Sequence, residues 1–144
     1  MTAVINGPET DNSSVNYKEW AFHNVEPIYT QLRDKIKWAI LSGQLRPGES
    51  IPSVREMASL LLINPNTVSK AYKQVCDEGL IETTGGKTYK VVSDNVIIQK
   101  VRAEECQILS CNYVRGMMEL GFSKTESSAL IKEYIQGKIQ GEAE

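Results

Sequence analysis

The sequence contains one histidine and three cysteines, and it lacks long apolar runs. His23 has no second ligand near it, so neither a metal site nor a histidine-dependent catalytic pair is expected. No apolar run approaches the roughly 20 residues of a membrane helix, and the first residues lack the basic start and apolar core of a signal peptide. We therefore expect a cytoplasmic protein without metal, cofactor or membrane contact.

The cysteines are an odd number without metal-like spacing, which indicates free thiols in a reducing cytosol. We expect each of Cys76, Cys106 and Cys111 to be a buried free thiol. A redox pair of Cys106 and Cys111 is the alternative, although positions i and i+5 of a helix lie about 140° apart. Catalytic features are lacking as well: there is no nucleophile–base pair, no pair of carboxylates in an apolar context and no phosphate-binding glycine loop. An enzyme is not expected.

Net positive charge is also lacking, because 16 Lys and Arg face 18 Asp and Glu. The charges are distributed unevenly. Residues 27–92 carry nine basic and six acidic side chains. Residues 1–26 carry one basic and four acidic side chains, and residues 93–144 carry six basic and eight acidic ones. Local charge rather than total charge sets the field that a partner meets, so only the middle block is suited to a polyanion.

The stretch INPNTVSKAY, residues 63–72, has the features of a helix start. Asn64 is suited to cap the free amides of a first turn, and Pro65 is suited to the first helical position, where its missing N–H costs nothing. The helix is predicted to end at Gly79, which can adopt the left-handed conformation of a C-cap. Its apolar side consists of Val68, Ala71, Tyr72 and Val75. The opposite side is polar and basic, with Asn66, Lys70 and Lys73.

The neighbouring segments predict a winged helix-turn-helix. A first helix with a repeat of apolar residues occupies residues 27–43, and a second begins at the capping box formed by Ser53 and Glu56. Only two residues separate the second helix from Asn64, which is typical of a helix-turn-helix. After Gly79, two runs of strand formers flank the turn TTGGK and predict a hairpin. The expected fold is mainly α with a small β-hairpin.

In such a fold the second helix of the pair enters the DNA major groove with its N-terminal residues first. We expect the recognition helix, about residues 64–78, to read bases, and the wing, residues 83–88, to lie near the minor groove, where glycines allow a close approach. The residues predicted in this way to contact DNA are Arg55, Asn66, Thr67, Ser69, Lys70, Lys73, Gly85, Gly86 and Lys87.

Three motifs, LRPGESIPSVREMA, NPNTVSKAY and EGLIETTGGK, resemble the DNA-binding domain of GntR-family bacterial transcription regulators. The resemblance covers residues 27–92, and the short remainder is similar to the YtrA-like subfamily, whose members often govern genes for ABC-type transporters. It implies DNA contacts by Arg55, by residues 64–69 and by the wing tip. Many family members have arginines where Pro65 and Ser69 stand, so a bidentate arginine–guanine contact from these positions is absent here.

The ends of the chain have their own patterns. Residues 1–16 are polar and turn-rich without periodicity, which predicts a disordered tail. Residues 17–26 predict a short extended arm, in which ordinary packing is the preferred role of Trp20 and Phe22. Residues 93–144 predict two helices, the second starting at a capping box, with apolar residues on several sides of the first.

Two helices of this size are too small for an independent core, so we expect residues 93–144 to be a dimerisation segment that packs on a second copy. A dimer also sets two recognition helices to reach half-sites about 34 Å, or a multiple, apart. The alternatives are that these helices cover their own winged helix, or that a pocket beside the methionines holds a small-molecule effector. The predicted dimerisation residues are Ile97, Val101, Ile108, Met117, Met118, Leu130 and Tyr134.

The sequence thus predicts a homodimeric transcription regulator that binds an operator, expected as an inverted repeat in double-stranded DNA. By the resemblance, we expect a repressor of a transporter-type operon. The alternative is a winged-helix protein-interaction module without specific DNA binding. The basic middle block and the absence of acidic residues from positions 57 to 76 argue against that alternative.

Overall fold

The structure is a computed structural model that describes residues 15–137. The predicted disordered tail, residues 1–16, therefore lies outside the described residues except for its last two. The chain forms two compact units, one ending at Val101 and the other beginning at Arg102. In chain order the elements are a 3₁₀ turn at Tyr17–Glu19, α1 (Ile28–Leu41), β1 (Ser50–Ile51), α2 (Val54–Leu61), α3 (Pro65–Asp77), β2 (Ile81–Thr84), β3 (Thr88–Val91), α4 (Asn95–Glu119) and α5 (Lys124–Ile135).

The two helices of the helix-turn-helix begin at the predicted caps. The Ser53 side chain accepts a hydrogen bond from the amide of Glu56 at 3.2 Å, and the Asn64 side chain accepts one from the amide of Asn66 at 2.8 Å. Pro65 is the first residue of α3, as predicted. These side chains satisfy amides that a first helical turn leaves without partners, which fixes where each helix starts.

The core of the first unit forms where α1 packs on α3. The predicted apolar stripes of both helices are almost completely removed from solvent, except that Ile28, the first residue of the α1 stripe, is 40% exposed. Each fully buried Leu, Ile or Val side chain stabilises the fold by about 1.5–3 kcal/mol. The central members are Leu32, Ile36, Ile40, Val68, Ala71, Tyr72 and Val75. At the edge of this interface, Arg33 donates to the Gln74 side chain at 3.0 Å and Lys37 pairs with Glu78 at 3.0 Å.

The predicted hairpin is present, but it belongs to a sheet of three strands in the order β1-β3-β2. Strand β1 was not predicted, because two residues are too few to show the alternation that identifies a strand. Ser50 pairs with Lys90 and Ile51 with Tyr89, so β3 is the central strand. The wing is thereby hydrogen-bonded to the segment that leads into α2.

The core of the first unit continues into the start of α4. Ile98 is 3% exposed within the same apolar cluster, and Ile97 and Val101 are partly buried against it. The Cγ2 atom of Ile97 lies 3.5 Å from the place where a Cβ on Gly79 would be. Ile97 and Val101, predicted as dimerisation residues, therefore already have packing partners within the winged helix.

The second unit contains the rest of α4 and α5. Ser123 and Glu126 form the predicted capping box at the start of α5, with hydrogen bonds in both directions. The Tyr113 hydroxyl donates to the carbonyl of Ser127 at 2.7 Å, which joins the two helices. Between residues 102 and 137, Ser127 alone is buried, so this unit has no core of its own. No helix in the described part of the chain is both long and apolar enough to span a membrane.

The turn between α2 and α3 contains a strained residue. Leu62 is the single non-glycine residue with a positive φ among residues 15–137, at φ 56° and ψ 46°, and its side chain is 90% exposed. A left-handed conformation brings the Cβ of an L-residue close to the following carbonyl oxygen. Leu62 ends α2 in a conformation that glycine adopts at no steric cost.

We expect Leu62→Gly to raise the free energy of unfolding by about 0.5–1 kcal/mol, since relief of the strain exceeds the loss of chain stiffness in the unfolded state. Urea denaturation followed by circular dichroism measures the change. The matched control is Leu61→Gly, which removes a half-buried side chain from the last residue of α2 and should destabilise the protein. Equal destabilisation by both variants would contradict this assignment of strain.

Candidate nucleic-acid interface

Helix α3 turns its polar side to solvent. Asn66, Ser69, Lys70 and Lys73 are exposed and Thr67 is half-buried, while the apolar stripe faces the core. Asn64 and Pro65 are exposed at its first turn. The side of the helix predicted to be apolar is therefore the buried one. From its N-terminus onward, the exposed side of α3 presents short hydrogen-bonding side chains and then the two ammonium groups of Lys70 and Lys73.

Arg55 lies in the first turn of α2, directly after the Ser53 cap, and is exposed. Helix α2 packs on α3, so the backbone that carries Arg55 is held against α3. A guanidinium offers five donors in a planar fork that matches phosphate geometry. Arg55 therefore places an exposed positive charge on α2, the helix that precedes α3.

The wing tip is open on all sides. Gly85 and Gly86 have φ values of 67° and 77°, and a Cβ added at either would meet nothing within 4 Å. Lys87 is exposed beside them. Glycine is therefore required at the tip by backbone conformation, and the space around it is free for close approach by a partner.

The wing is tied to the recognition helix by two tyrosines. The rings of Tyr72 in α3 and Tyr89 in β3 meet edge to face, with centroids 4.8 Å apart. The Tyr72 hydroxyl donates to the carbonyl of Pro52 at 2.7 Å. Burial raises the pKa of Tyr72 far above its usual range, and the neighbouring Tyr17, Tyr89 and Glu56 add to the shift. The phenol is therefore a neutral, fully bonded part of the core.

The ammonium of Lys70 lies over the ring of Tyr29, with the nitrogen 3.9 Å from the ring centroid. Tyr29 is in the first turn of α1 and was not among the predicted site residues. The sequence carried no signal for this contact, because an aromatic residue near a helix start is equally consistent with simple packing. The ring restricts the orientation of one of the two ammonium groups of α3.

The N-terminal arm is part of the first unit, and its first residues, Tyr17–Glu19, form a 3₁₀ turn instead of the predicted extended chain. Its aromatic residues have the packing role that was preferred for them. Tyr17, Trp20 and Phe22 lie against the core cluster. The amide of His23 donates to the Gln31 side chain at 3.0 Å, and its ring Nδ1 accepts from Val25 at 3.2 Å, so this histidine has a structural role. In the part of the chain that the structure covers, no three His, Cys, Asp or Glu side chains are grouped as a metal site would need.

The cysteines are free thiols, as predicted, but they are not all buried. Cys76 is half-buried, and burial raises the pKa of its thiol, with a further contribution from Asp77. Cys106 and Cys111 are exposed, which contradicts the expectation of buried thiols. The reason is that this part of α4 has few packing partners within one chain.

The second unit contains an open cleft of about 770 Å³. The predicted effector pocket lay beside the two methionines, Met117 and Met118. Met118 lines this cleft, whereas Met117 does not. Charged side chains at its rim come from both helices of the unit. The lining residues are Ser110, Cys111, Val114, Arg115, Met118, Glu119 and Lys124.

The contact between Tyr29 and Lys70 predicts a measurable coupling between α1 and α3. In a double-mutant cycle of Tyr29→Leu and Lys70→Met, we expect the two losses of stability to be non-additive by about 0.5–1 kcal/mol, because each variant removes the same cation–π contact. Urea denaturation gives the four free energies. The control pair is Tyr29→Leu with Lys73→Met, which should be additive, and additivity in both cycles would show that the ammonium does not bind the ring.

Comparison with known proteins agrees with this geometry. Residues 28–91 match the family described as bacterial regulatory proteins, gntR family. The chain is 32% identical over 116 residues to YhcF of Bacillus subtilis, an uncharacterized HTH-type transcriptional regulator, with 81% of this chain and 96% of YhcF covered. It is 51% identical over 61 residues to the HTH-type transcriptional repressor YtrA of Bacillus subtilis, with 42% of this chain and 47% of YtrA covered.

The fold is also similar to that of a GntR family transcriptional regulator from Listeria monocytogenes. The TM-score is 0.72 at 29% sequence identity, with 78% of this chain and 98% of that chain covered. The family match, the winged helix-turn-helix and the outward polar face of α3 agree on one class of protein. The chain is a DNA-binding transcription regulator rather than an enzyme, and it belongs to the GntR family of bacterial regulatory proteins.

Proposed function

We propose that this protein is a homodimeric repressor that binds an inverted-repeat operator, with α3 in the major groove and the wing near the minor groove. The observation that carries the proposal is the exposed face of α3. It combines hydrogen-bonding side chains with two ammonium groups, and positions 57 to 76 contain no acidic residue. Such a regulator would act in the cytoplasm, where bacterial DNA lies.

The first turns of α3 are suited to base edges. Asn66 has an amide that can both donate and accept, as adenine requires in the major groove, and the Thr67 and Ser69 hydroxyls can bond to either kind of group. Lys70 and Lys73 lie further along the helix, where the DNA backbone passes. We assign the short polar side chains to base reading and the lysines mainly to phosphates.

Phosphate contacts on either side of α3 would fix its register in the groove. Arg55 at the start of α2 is placed for a bidentate phosphate contact, and Lys87 at the wing tip for a further one. Gly85 and Gly86 leave room for the wing backbone beside the minor groove. These contacts add affinity for any sequence, so specificity rests on α3.

The exposed apolar surface of the second unit supports a dimer. Its large apolar side chains remain in contact with solvent, and the unit buries too little to be stable as a separate domain. Ile108, Met117, Met118, Leu130 and Tyr134 are the proposed dimer contacts. The large apolar side chains of this unit that are at least one-third exposed are Ile108, Leu109, Met118, Leu120, Ile131 and Ile135.

Repression, and not activation, is proposed because this chain has a DNA-binding segment similar to that of YtrA, a transcriptional repressor. A dimer that occupies an operator can exclude the polymerase without further contacts, so no additional domain is needed for repression. The YtrA-like resemblance of the sequence suggests a transporter-type operon as the target. The cleft beside Met118 is the candidate place for a small-molecule effector.

Selection of bound sequences from a random DNA pool, at physiological salt, tests the proposal. We expect an inverted repeat. Asn66→Ala should lose preference at particular base pairs, at a cost of about 1–3 kcal/mol, because it removes a base contact. Lys73→Ala should keep the motif, weaken all sequences alike and reduce the salt slope of binding by about one unit per protomer.

The matched control is Gln44→Ala, which removes an exposed amide from the loop after α1 and should leave motif and affinity unchanged. An unchanged motif with Asn66→Ala would refute the proposed orientation of α3. Absence of salt-dependent DNA binding by the wild-type protein would refute DNA recognition and favour the protein-interaction alternative.

Sedimentation of the full-length protein tests the dimer. The variant Ile108→Glu with Met118→Glu should be a monomer with unchanged helix content, because these side chains are 52% and 49% exposed in one chain. Its operator affinity should fall more than about tenfold, since two half-sites are no longer bound together. The control is Val25→Glu in the first unit, where the side chain is 89% exposed. A double variant that remains a dimer would refute this interface.

A further inference from the structure

The segment that precedes the family-matched residues 28–91 packs on the winged helix: Tyr17, Trp20 and Phe22 lie against the core cluster, and the turn at Tyr17–Glu19 contacts α2. The rings of Tyr17 and Trp20 meet edge to face with centroids 5.0 Å apart, and the Trp20 amide donates to the Tyr17 carbonyl at 3.1 Å. Further along, the Lys35 ammonium lies 5.7 Å from the centroid of the Phe22 ring. Burial raises the pKa of Tyr17 to about 12, and the carboxylate of Glu49 adds to the shift. The arm therefore presents its exposed residues at fixed positions.

Lys18 is the exposed basic residue that this anchoring positions. It is the single basic residue among the first 26, and it lies between the two anchoring aromatics, Tyr17 and Trp20. Within residues 15–137 neither Lys18 nor Arg55 forms an ion pair. The two side chains line one open cleft of about 520 Å³, together with Glu56, Ser59 and Leu60.

We propose that the arm is a further DNA-binding part of this regulator, in which Lys18 contacts the phosphate backbone beside the phosphate held by Arg55. The proposal rests on the proposed function, since Arg55 marks the side of α2 that approaches DNA. The Lys18 side chain lines the same cleft as Arg55 but comes from a different segment of the chain. A backbone that passes Arg55 thus has a second cation within reach, and phosphates repeat along it at short intervals.

The position of Lys18, and not the overall charge of the arm, favours a contact with the phosphate backbone. The arm itself is acidic, since residues 1–26 carry one basic and four acidic side chains, and Glu19 follows Lys18 directly. Without its anchors such a segment would be repelled by DNA. In the cleft, two cations face one carboxylate, that of Glu56, so the local balance is positive. The extended phosphate backbone suits this open cleft better than a small anion, which needs a more enclosed site.

The test uses full-length protein and the operator recovered by selection. Affinity is measured against salt for wild type, Lys18→Gln, Lys18→Arg and the control Lys132→Gln, which removes an exposed positive charge from α5. We expect Lys18→Gln to reduce the salt slope by about one unit per protomer without changing base preference, Lys18→Arg to retain the slope, and Lys132→Gln to match wild type. Thermal melting of each variant checks that the fold is intact.

The possible failures are distinguishable. A salt slope for Lys18→Gln equal to that of wild type and Lys132→Gln would overturn the role of the arm and leave the proposed function standing. A change in base preference with Lys18→Gln would overturn the assignment to phosphate. Wild-type protein that shows no salt-dependent DNA binding would overturn both the proposed function and this inference.

Discussion

The burial of Tyr72 is the contact on which the arrangement of the DNA-binding unit depends. Its side chain is completely buried, its ring meets Tyr89 of β3, and its hydroxyl is bonded to Pro52 just before α2. One side chain thus joins the recognition helix to the wing and to the helix that carries Arg55. Because a buried hydroxyl must be satisfied, the Pro52 bond also fixes the angle of the ring. The spacing of the contact surfaces follows from this packing.

The elements that could be predicted from the sequence are those that local chemistry decides. Ser53, Asn64 and Ser123 each satisfy amides of the turn that follows, and Pro65 removes a donor where none is needed. The buried side of α3 could be predicted because its apolar residues recur with the period of a helix that has one buried face. Local signals of this kind do not depend on the rest of the fold, so they give correct helix starts.

The features that could not be predicted depend on contacts between distant segments. Strand β1 exists because β3 offers it partners, not because of its own two residues. Cys106 and Cys111 are exposed since the second unit lacks a core, which no pattern around either cysteine reveals. The contact of Lys70 with Tyr29 joins residues from different helices, and the shared cleft of Lys18 and Arg55 likewise requires the folded chain. For the proposed DNA-binding residues, the sequence shows which chemical groups are present, whereas the fold is needed to show which of them are neighbours.

The side chains that α3 would offer to bases, those of Asn66, Thr67 and Ser69, are short. By the family resemblance, many members have arginine at the positions of Pro65 and Ser69. A short side chain cannot follow the DNA when the helix moves, because it has few rotatable bonds. Hydrogen bonds between nitrogen and oxygen weaken steeply beyond about 3.2 Å. In the proposed complex, a shift of α3 by about an ångström would thus remove base recognition while leaving the longer lysines attached to phosphates. Such a regulator would pass from specific to sliding contact by a small rigid displacement, without unfolding or leaving the DNA.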